Sequence, residues 1–301
     1  MQSLHSNSVN KFLSLATLES QEIIPLIHEI AVKEPGVLLL DRIAKIGRRF
    51  TIVPSEETVT FCNLNLIKIE TDRPYFYVAR IDGEKFFVEA PRYVRLVHEF
   101  IHLMHAYEDS EAEKRRGERH TDDGTDNEEE RLTIFGINNE EIDLCSENSF
   151  LALEGLPLRI DHDGPASQPP TLIDVIKVGA LGSLKEILKD DPSKINFASY
   201  CHTAQATVSL LSAAAYHNQI EVIDFLLENG VDIHTADEIG GPIIAALKND
   251  HKELALSLIQ RGLDTTLRDS QGMSALDLLN SRPTARFDTR SKPIIKLLLE
   301  S

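Results

Sequence analysis

Arg95-Leu96-Val97-His98-Glu99-Phe100-Ile101-His102 places two imidazoles one helical turn apart, with a carboxylate directly after the first. In a helix, residues four apart share a face, so His98 and His102 can grip one metal ion together. Glu99 is rotated by about 100° from His98, within reach of a water beside the ion rather than of the ion itself. This division of roles is the chemistry of a zinc peptidase: the ion acidifies water and polarises a carbonyl, and the glutamate takes the proton. Around the motif, Tyr93-Val94-Arg95-Leu96-Val97 and Phe100-Ile101-Leu103-Met104 supply apolar positions at helical spacing. They predict a helix with one face fixed in a core and one open to the ion. Pro91 suits the start of such a helix, where its missing N–H costs nothing.

Two histidines leave a tetrahedral zinc site short of a protein ligand. The continuation His-x-x-Gly-x-x-His fails, because no glycine opens a turn after His102. His105 shares the face of His98 and His102 but lies too far along to join them, which suits a supporting or core role. His120 falls in a polar stretch. The better source is Asn127-Glu128-Glu129-Glu130-Arg131-Leu132-Thr133-Ile134, where Asn127 is a good N-cap and the acids suit a first turn. A glutamate from a second helix would complete a His2Glu set. Glu129, four residues before Thr133 and on its face, is the expected ligand, with Glu130 next.

Four ordered blocks carry a resemblance. They are Gly36-Val37-Leu38-Leu39-Leu40-Asp41-Arg42-Ile43 with Phe50-Thr51-Ile52-Val53, His98 to His105, Glu129 to Ile134 followed by Gly136, and Ser146-Glu147-Asn148-Ser149-Phe150 with Gly155-Leu156-Pro157-Leu158-Arg159. Over 35–165 the chain resembles the NleD-type zinc metallopeptidases, effectors that bacterial pathogens inject into host cells. The resemblance implies an α+β zincin-like metallopeptidase domain, a Zn2+ cofactor, a host protein as substrate and an arginine, Arg159, near the active site. Tyr107, Tyr93 and His162 are further candidates to stabilise a reaction oxyanion. The chain departs from the family pattern in the polar stretch between the two metal helices and in Phe135, which adds a residue before Gly136.

The C-terminal third repeats itself. Leu210-Leu211-Ser212-Ala213-Ala214 with 222–233 forms one unit, and Ile243-Ile244-Ala245-Ala246-Leu247 with 254–264 forms the next. Gly230 and Gly262 stand 32 residues apart, near the ankyrin period of about 33. Ser274-Ala275-Leu276-Asp277-Leu278-Leu279 opens a third unit ending in 294–299, and 172–188 looks like a degenerate first. The expected fold of 170–301 is an all-α ankyrin-like repeat domain whose stacked helix pairs bury a continuous core and bind a protein partner.

The expected division is an N-terminal helical segment over 1–34, a metallopeptidase domain over 35–165 and the repeats over 170–301. A helix is expected from Phe12 to Ile30. Strands are expected at 50–52, 59–61, 64–69, 75–80 and 85–89, with Asp82-Gly83 turning the last pair into a hairpin beside the metal cleft. Charge-dense 107–126 reads as a loop between the metal helices, and 161–170 as a linker.

A formal net charge of −17 argues against a nucleic-acid surface, which needs clustered Lys and Arg. Cys62, Cys145 and Cys201 have neither metal nor disulfide spacing, in keeping with a reducing compartment. A secretory signal and a bilayer-spanning stretch are not apparent. Together with the resemblance, these features lead to a zinc endopeptidase delivered into the host cytosol, with the repeats docking its target. The competing reading is a protein-binding ankyrin scaffold whose peptidase-like half is inactive.

Overall fold

The structure is a computed structural model. It describes residues 2–109, 111–117, 127–136, 145–160, 169–234 and 236–281. The chain divides into two compact units, 1–83 with 87–169, and 170–301 with Glu84–Phe86.

The first unit opens with α1 (Gln2–Leu15), β1 (Ala16–Leu18), α2 (Ile23–Ala31) and α3 (Glu34–Ile46). The single helix expected from Phe12 to Ile30 is therefore two helices broken by a strand. Polar Glu19-Ser20-Gln21-Glu22 interrupts the apolar pattern, and β1 pairs parallel with β2 (Phe50–Pro54). Nor do the first 34 residues stand apart. Phe12 packs on Phe50 and Phe100, with ring centroids 5.2 and 5.1 Å away, so the N-terminal helix helps to build the core.

The sheet runs β1-β2-β4-β3, where β3 is Val59–Phe61 and β4 is Leu66–Ile69. It is parallel except for β3, which pairs antiparallel with β4 as an edge strand. Register sets Thr60 opposite Ile67 and Ile67 opposite Ile52, all buried, because side chains at paired positions share one face. A 3-10 turn, Cys62–Leu64, joins the two last strands and occupies the first residue of the strand expected over 64–69.

Then follow β5 (Tyr75–Ile81) and β6 (Glu84–Ala90), a separate two-stranded hairpin. Asp82 and Gly83 both take positive φ, 49° and 90°, as the Asp-Gly signal requires. α4 (Arg92–Glu108) starts directly after Pro91, and every residue from Tyr93 to His105 is buried. This exceeds the one-sided burial that the periodicity implies: the motif helix is enclosed all round. α5 (Ala112–Gly117), α6 (Glu128–Phe135) and α7 (Glu147–Leu153) complete the unit. Part of the segment expected as a loop is thus helical, since α4 runs on to Glu108 and α5 follows it.

Gly36, inside α3, marks the closest approach in this unit. A Cβ there would run into the carbonyl oxygen of Ile30 in α2, which is backbone and cannot swing aside. Gly36→Ala is expected to destabilise the unit by about 1–3 kcal/mol, the usual scale of overpacking, as read from a denaturant midpoint.

In the second unit, helix pairs stack in order: α8 (Leu172–Lys177) with α9 (Leu181–Asp190), α10 (Leu210–Tyr216) with α11 (Ile220–Glu228), and α12 (Pro242–Lys248) with α13 (Lys252–Gln260). α14 (Ala275–Ser281) follows them. The first helix of each pair packs on the next, α10 on α8 and α12, and α12 on α14. The apolar runs Leu210-Leu211 and Ile243-Ile244 are buried in this stack. One expectation needs correction: the unit is not all helix. β7 (Ala198–Cys201) and β8 (Ala206–Ser209) form an antiparallel hairpin ahead of α10. The turns repeat with the period. Asp237 accepts from the backbone N–H groups of Ser209, Gly240 and Gly241, and Asp269, 32 residues on, accepts from those of Gln271 and Met273. The helix of the third unit beyond Ser281 lies outside the described residues.

Candidate metal centre

α4 carries His98 and His102 on one face, as the spacing demands, and their Nε2 atoms lie 3.1 Å apart. α6 brings a carboxylate to the pair. Glu130 Oε2 lies 3.1 Å from His98 Nε2 and 3.2 Å from His102 Nε2. Among the described residues, His98, His102 and Glu130 are the group whose donor atoms converge closely enough to hold an ion.

The expected third ligand was Glu129, and here the structure differs. Asn127 caps α6 by accepting from the Glu130 backbone N–H at 3.0 Å, which sets the helix phase. With that phase, Glu129 and Thr133 share the buried side, and Glu130, about 100° further round, faces the two Nε2 atoms. Glu129 lies behind the imidazoles instead. Its Oε1 accepts from His105 Nδ1 at 2.7 Å and sits 3.4 Å from His102 Nδ1. His105, for which a supporting or core role was expected, is buried and bonds Glu129.

Both candidate ligand histidines are held from the rear. His98 Nδ1–H donates to Glu147 Oε2 at 2.6 Å. His102 Nδ1 lies 3.1 Å from Thr133 Oγ1, whose own hydroxyl donates to the Glu129 carbonyl, leaving it free to accept. In the neutral form of each ring, donation from Nδ1 leaves Nε2 as the lone-pair side, the arrangement that orients metal-ligating imidazoles. Glu147 is anchored in turn by Arg159 Nη1 at 2.9 Å and by the Tyr75 hydroxyl at 2.8 Å.

The electrostatics favour positive charge at the centre. Burial of His98 opposes its protonation, but the hydrogen bonds to Glu130 and Glu147 outweigh this and push its pKa up to about 10. Burial likewise raises Glu147, yet Arg159 and His98 bring it down to about 2. Glu129 reaches about 2 because hydrogen bonds from His102 and His105 overcome its own burial. Two carboxylates therefore bear on one imidazole, a surrounding that suits a cation.

Glu99 is buried, and Thr60 of the edge strand β3 donates to its Oε2 at 2.6 Å. The strand that meets this carboxylate is β3, while the 75–89 hairpin, expected beside the cleft, reaches the cluster through Tyr75, whose hydroxyl donates to Glu147. The hairpin does hold Arg159, through an isolated bridge between Ala79 and Arg159.

The remaining candidates do not join the cluster. Arg159 is buried with Glu147 rather than presented beside the ligands. Tyr107 donates to Asn65 Oδ1 at 3.0 Å, and Tyr93 donates to Glu154 at 2.5 Å. His120 and His162 lie outside the described residues. Glu147, Thr60 and Thr133 had been assigned no role by the sequence. Glu147 sits just inside an N-cap, Ser146, and 49 residues from His98, so no spacing rule joins them.

The second unit is an ankyrin-repeat module. A family model described as ankyrin repeats (many copies) matches residues 211–255. Among similar proteins, ankyrin repeat and SAM domain-containing protein 6 of Rattus norvegicus is 29% identical over 112 residues, 36% of this chain and 12% of that protein. Palmitoyltransferase ZDHHC13 of Mus musculus is 36% identical over 76 residues, 24% of this chain and 12% of its own length. Inhibitor of Bruton tyrosine kinase of Homo sapiens is 28% identical over 120 residues, covering 37% and 8% of the two chains. The chain spans about a tenth of the length of these relatives. Repeats of this kind imply a protein partner, and among the described residues no helix is long and apolar enough to cross a membrane.

Proposed function

We propose that the chain is a zinc-dependent endopeptidase whose ankyrin repeats dock its protein target. The observation that carries this reading is the convergence of His98 Nε2, His102 Nε2 and Glu130 Oε2, with separations of 3.1, 3.1 and 3.2 Å. Ligands on a tetrahedral zinc with bonds of about 2.05 Å stand about 3.3 Å apart, so the donor set fits in both chemistry and spacing. A zinc ion held there by His98, His102 and Glu130 would supply Lewis acidity toward a peptide carbonyl and toward water.

The chain's own groups perform the rest. Glu147 and Thr133 keep the two Nδ1–H groups turned away, so both Nε2 lone pairs face the centre. Thr60 holds Glu99 Oε2, which leaves Oε1 to take a proton from the attacking water and return it to the departing amine nitrogen. β3 lies at the edge of the sheet beside Glu99, the position from which an extended peptide can be added as a further strand. The resemblance to injected effectors extends the proposal to a host protein as substrate and the host cytosol as place of action.

A second reading has its own support. The family model and the relatives match the repeats, which supports a protein-binding ankyrin scaffold; in that reading the peptidase-like unit is inactive.

Zinc content separates the two. Purified wild-type chain is expected to carry about one zinc, and Glu130→Gln to lose it as His98→Ala does. Glu129→Gln, which alters only a supporting carboxylate, is expected to retain zinc with about 10-fold weaker affinity. A wild type that takes up no zinc when supplied with it would leave the scaffold reading.

A further inference from the structure

α5 lies in the stretch between the two helices that carry the candidate ligands, and one of its side chains reaches the carboxylate behind them. The Arg115 guanidinium donates to Glu129 Oε2 through Nε at 3.3 Å and Nη2 at 2.9 Å. Its Nη1 donates to Asp109 Oδ2 at 2.6 Å, on the residue that ends α4. One side chain of α5 thus ties the end of the first ligand helix to the second ligand helix.

Glu129 divides its two oxygens. Oε2 takes the arginine fork, while Oε1 faces His105 and His102. The Glu129 side chain is 1% exposed, and a carboxylate so buried stays ionised only with charged or hydrogen-bonded partners. Both guanidinium nitrogens converge on the one oxygen Oε2, a charge-assisted contact that anchors this end of the carboxylate and leaves Oε1 toward the histidines. Thr133 Oγ1, 3.1 Å from His102 Nδ1, donates to the main-chain carbonyl of Glu129, so this second support of His102 is independent of the Glu129 carboxylate.

We infer that Arg115 is a positioning residue for the cation site: it acts through Glu129 on His102, so retention of the ion depends on the docking of α5. The inference rests on the zinc reading above. Loss of the Arg115 contact frees Glu129, whose Oε1 faces His102, and weakens the grip on the metal.

The test is zinc affinity of the full chain, measured by competition with a chromophoric chelator, beside the melting temperature of each metal-free variant. Arg115→Gln is expected to bind zinc about tenfold more weakly, as loss of a residue supporting a ligand does. Arg115→Lys keeps the charge without the fork and is expected to recover part of that loss. Lys114→Gln, on the same helix but 72% exposed, is expected to match wild type. A route through Glu129 also requires that Arg115→Lys/Glu129→Gln bind no more weakly than Glu129→Gln alone; additive losses overturn it. That double variant and Arg115→Lys carry the test should Arg115→Gln fail to fold. Undiminished affinity in a folded Arg115→Gln or, failing that, in Arg115→Lys overturns the inference alone. A wild type that binds no zinc overturns it together with the zinc reading.

Discussion

Glu99→Gln is expected to leave zinc content and melting temperature near those of wild type while lowering peptide-bond hydrolysis by about 10²–10⁴-fold, the usual contribution of a positioned general base. The amide keeps the size of the side chain and can still accept from the Thr60 hydroxyl through its oxygen, so the link from β3 to α4 survives. What it lacks is a group that takes up a proton. The measurement is the number of new protein N-termini generated in a eukaryotic cell lysate by wild type and variant at equal zinc loading. Equal numbers, well above a lysate without the protein, would remove Glu99 from the chemistry. His98 and His102 could then still bind metal, but the proposed proton transfer would be wrong.

The second large effect concerns Arg159. Its side chain is 1% exposed and its partner Glu147 is fully buried, so the pair is an internal ion pair rather than a surface one. Removing one partner of such a pair leaves a charge without compensation, at a cost of about 3–5 kcal/mol. Glu147 keeps two other partners, the Tyr75 hydroxyl and His98 Nδ1, which places Arg159→Met toward the lower end of that range. Urea denaturation followed by circular dichroism measures the loss. Arg159→Met/Glu147→Gln is expected to regain part of the stability, because the stranded charge goes with the second change, and yet to hold zinc less well than wild type. An Arg159→Met variant as stable as wild type would show that Glu147 needs no cation behind it. Arg159, expected near the active site, bonds Glu147 behind His98.

Legibility differed by element. The 98–102 spacing was enough to pair two imidazoles, because helix geometry is local: residues four apart must share a face whatever surrounds them. The repeats were readable for a similar reason. Gly230 and Gly262 recur where each turn needs positive φ, 78° and 80°, and the apolar runs between them recur with the helices. The Asp237 and Asp269 turns carry the same 32-residue spacing, which was not read from the sequence; the structure shows each carboxylate accepting backbone N–H groups.

The choice between Glu129 and Glu130 was not local. Both follow one N-cap and both suit a first turn; which one faces the histidines depends on the angle at which α6 packs on α4. The break in the N-terminal helix was hidden likewise, since β1 is a strand only because β2, more than thirty residues on, pairs with it.

The amino-acid sequence by itself determined the one-turn pairing of His98 and His102, Glu99 next to them and the ankyrin period, all products of short-range geometry. Tertiary structure decided that Glu130 rather than Glu129 faces the two Nε2 atoms, that Glu147 and Arg159 stand behind His98, and that Arg115 stands behind Glu129. Those groups lie 12 to 49 residues from their partners, and such distances close only when packing of the core brings the helices together.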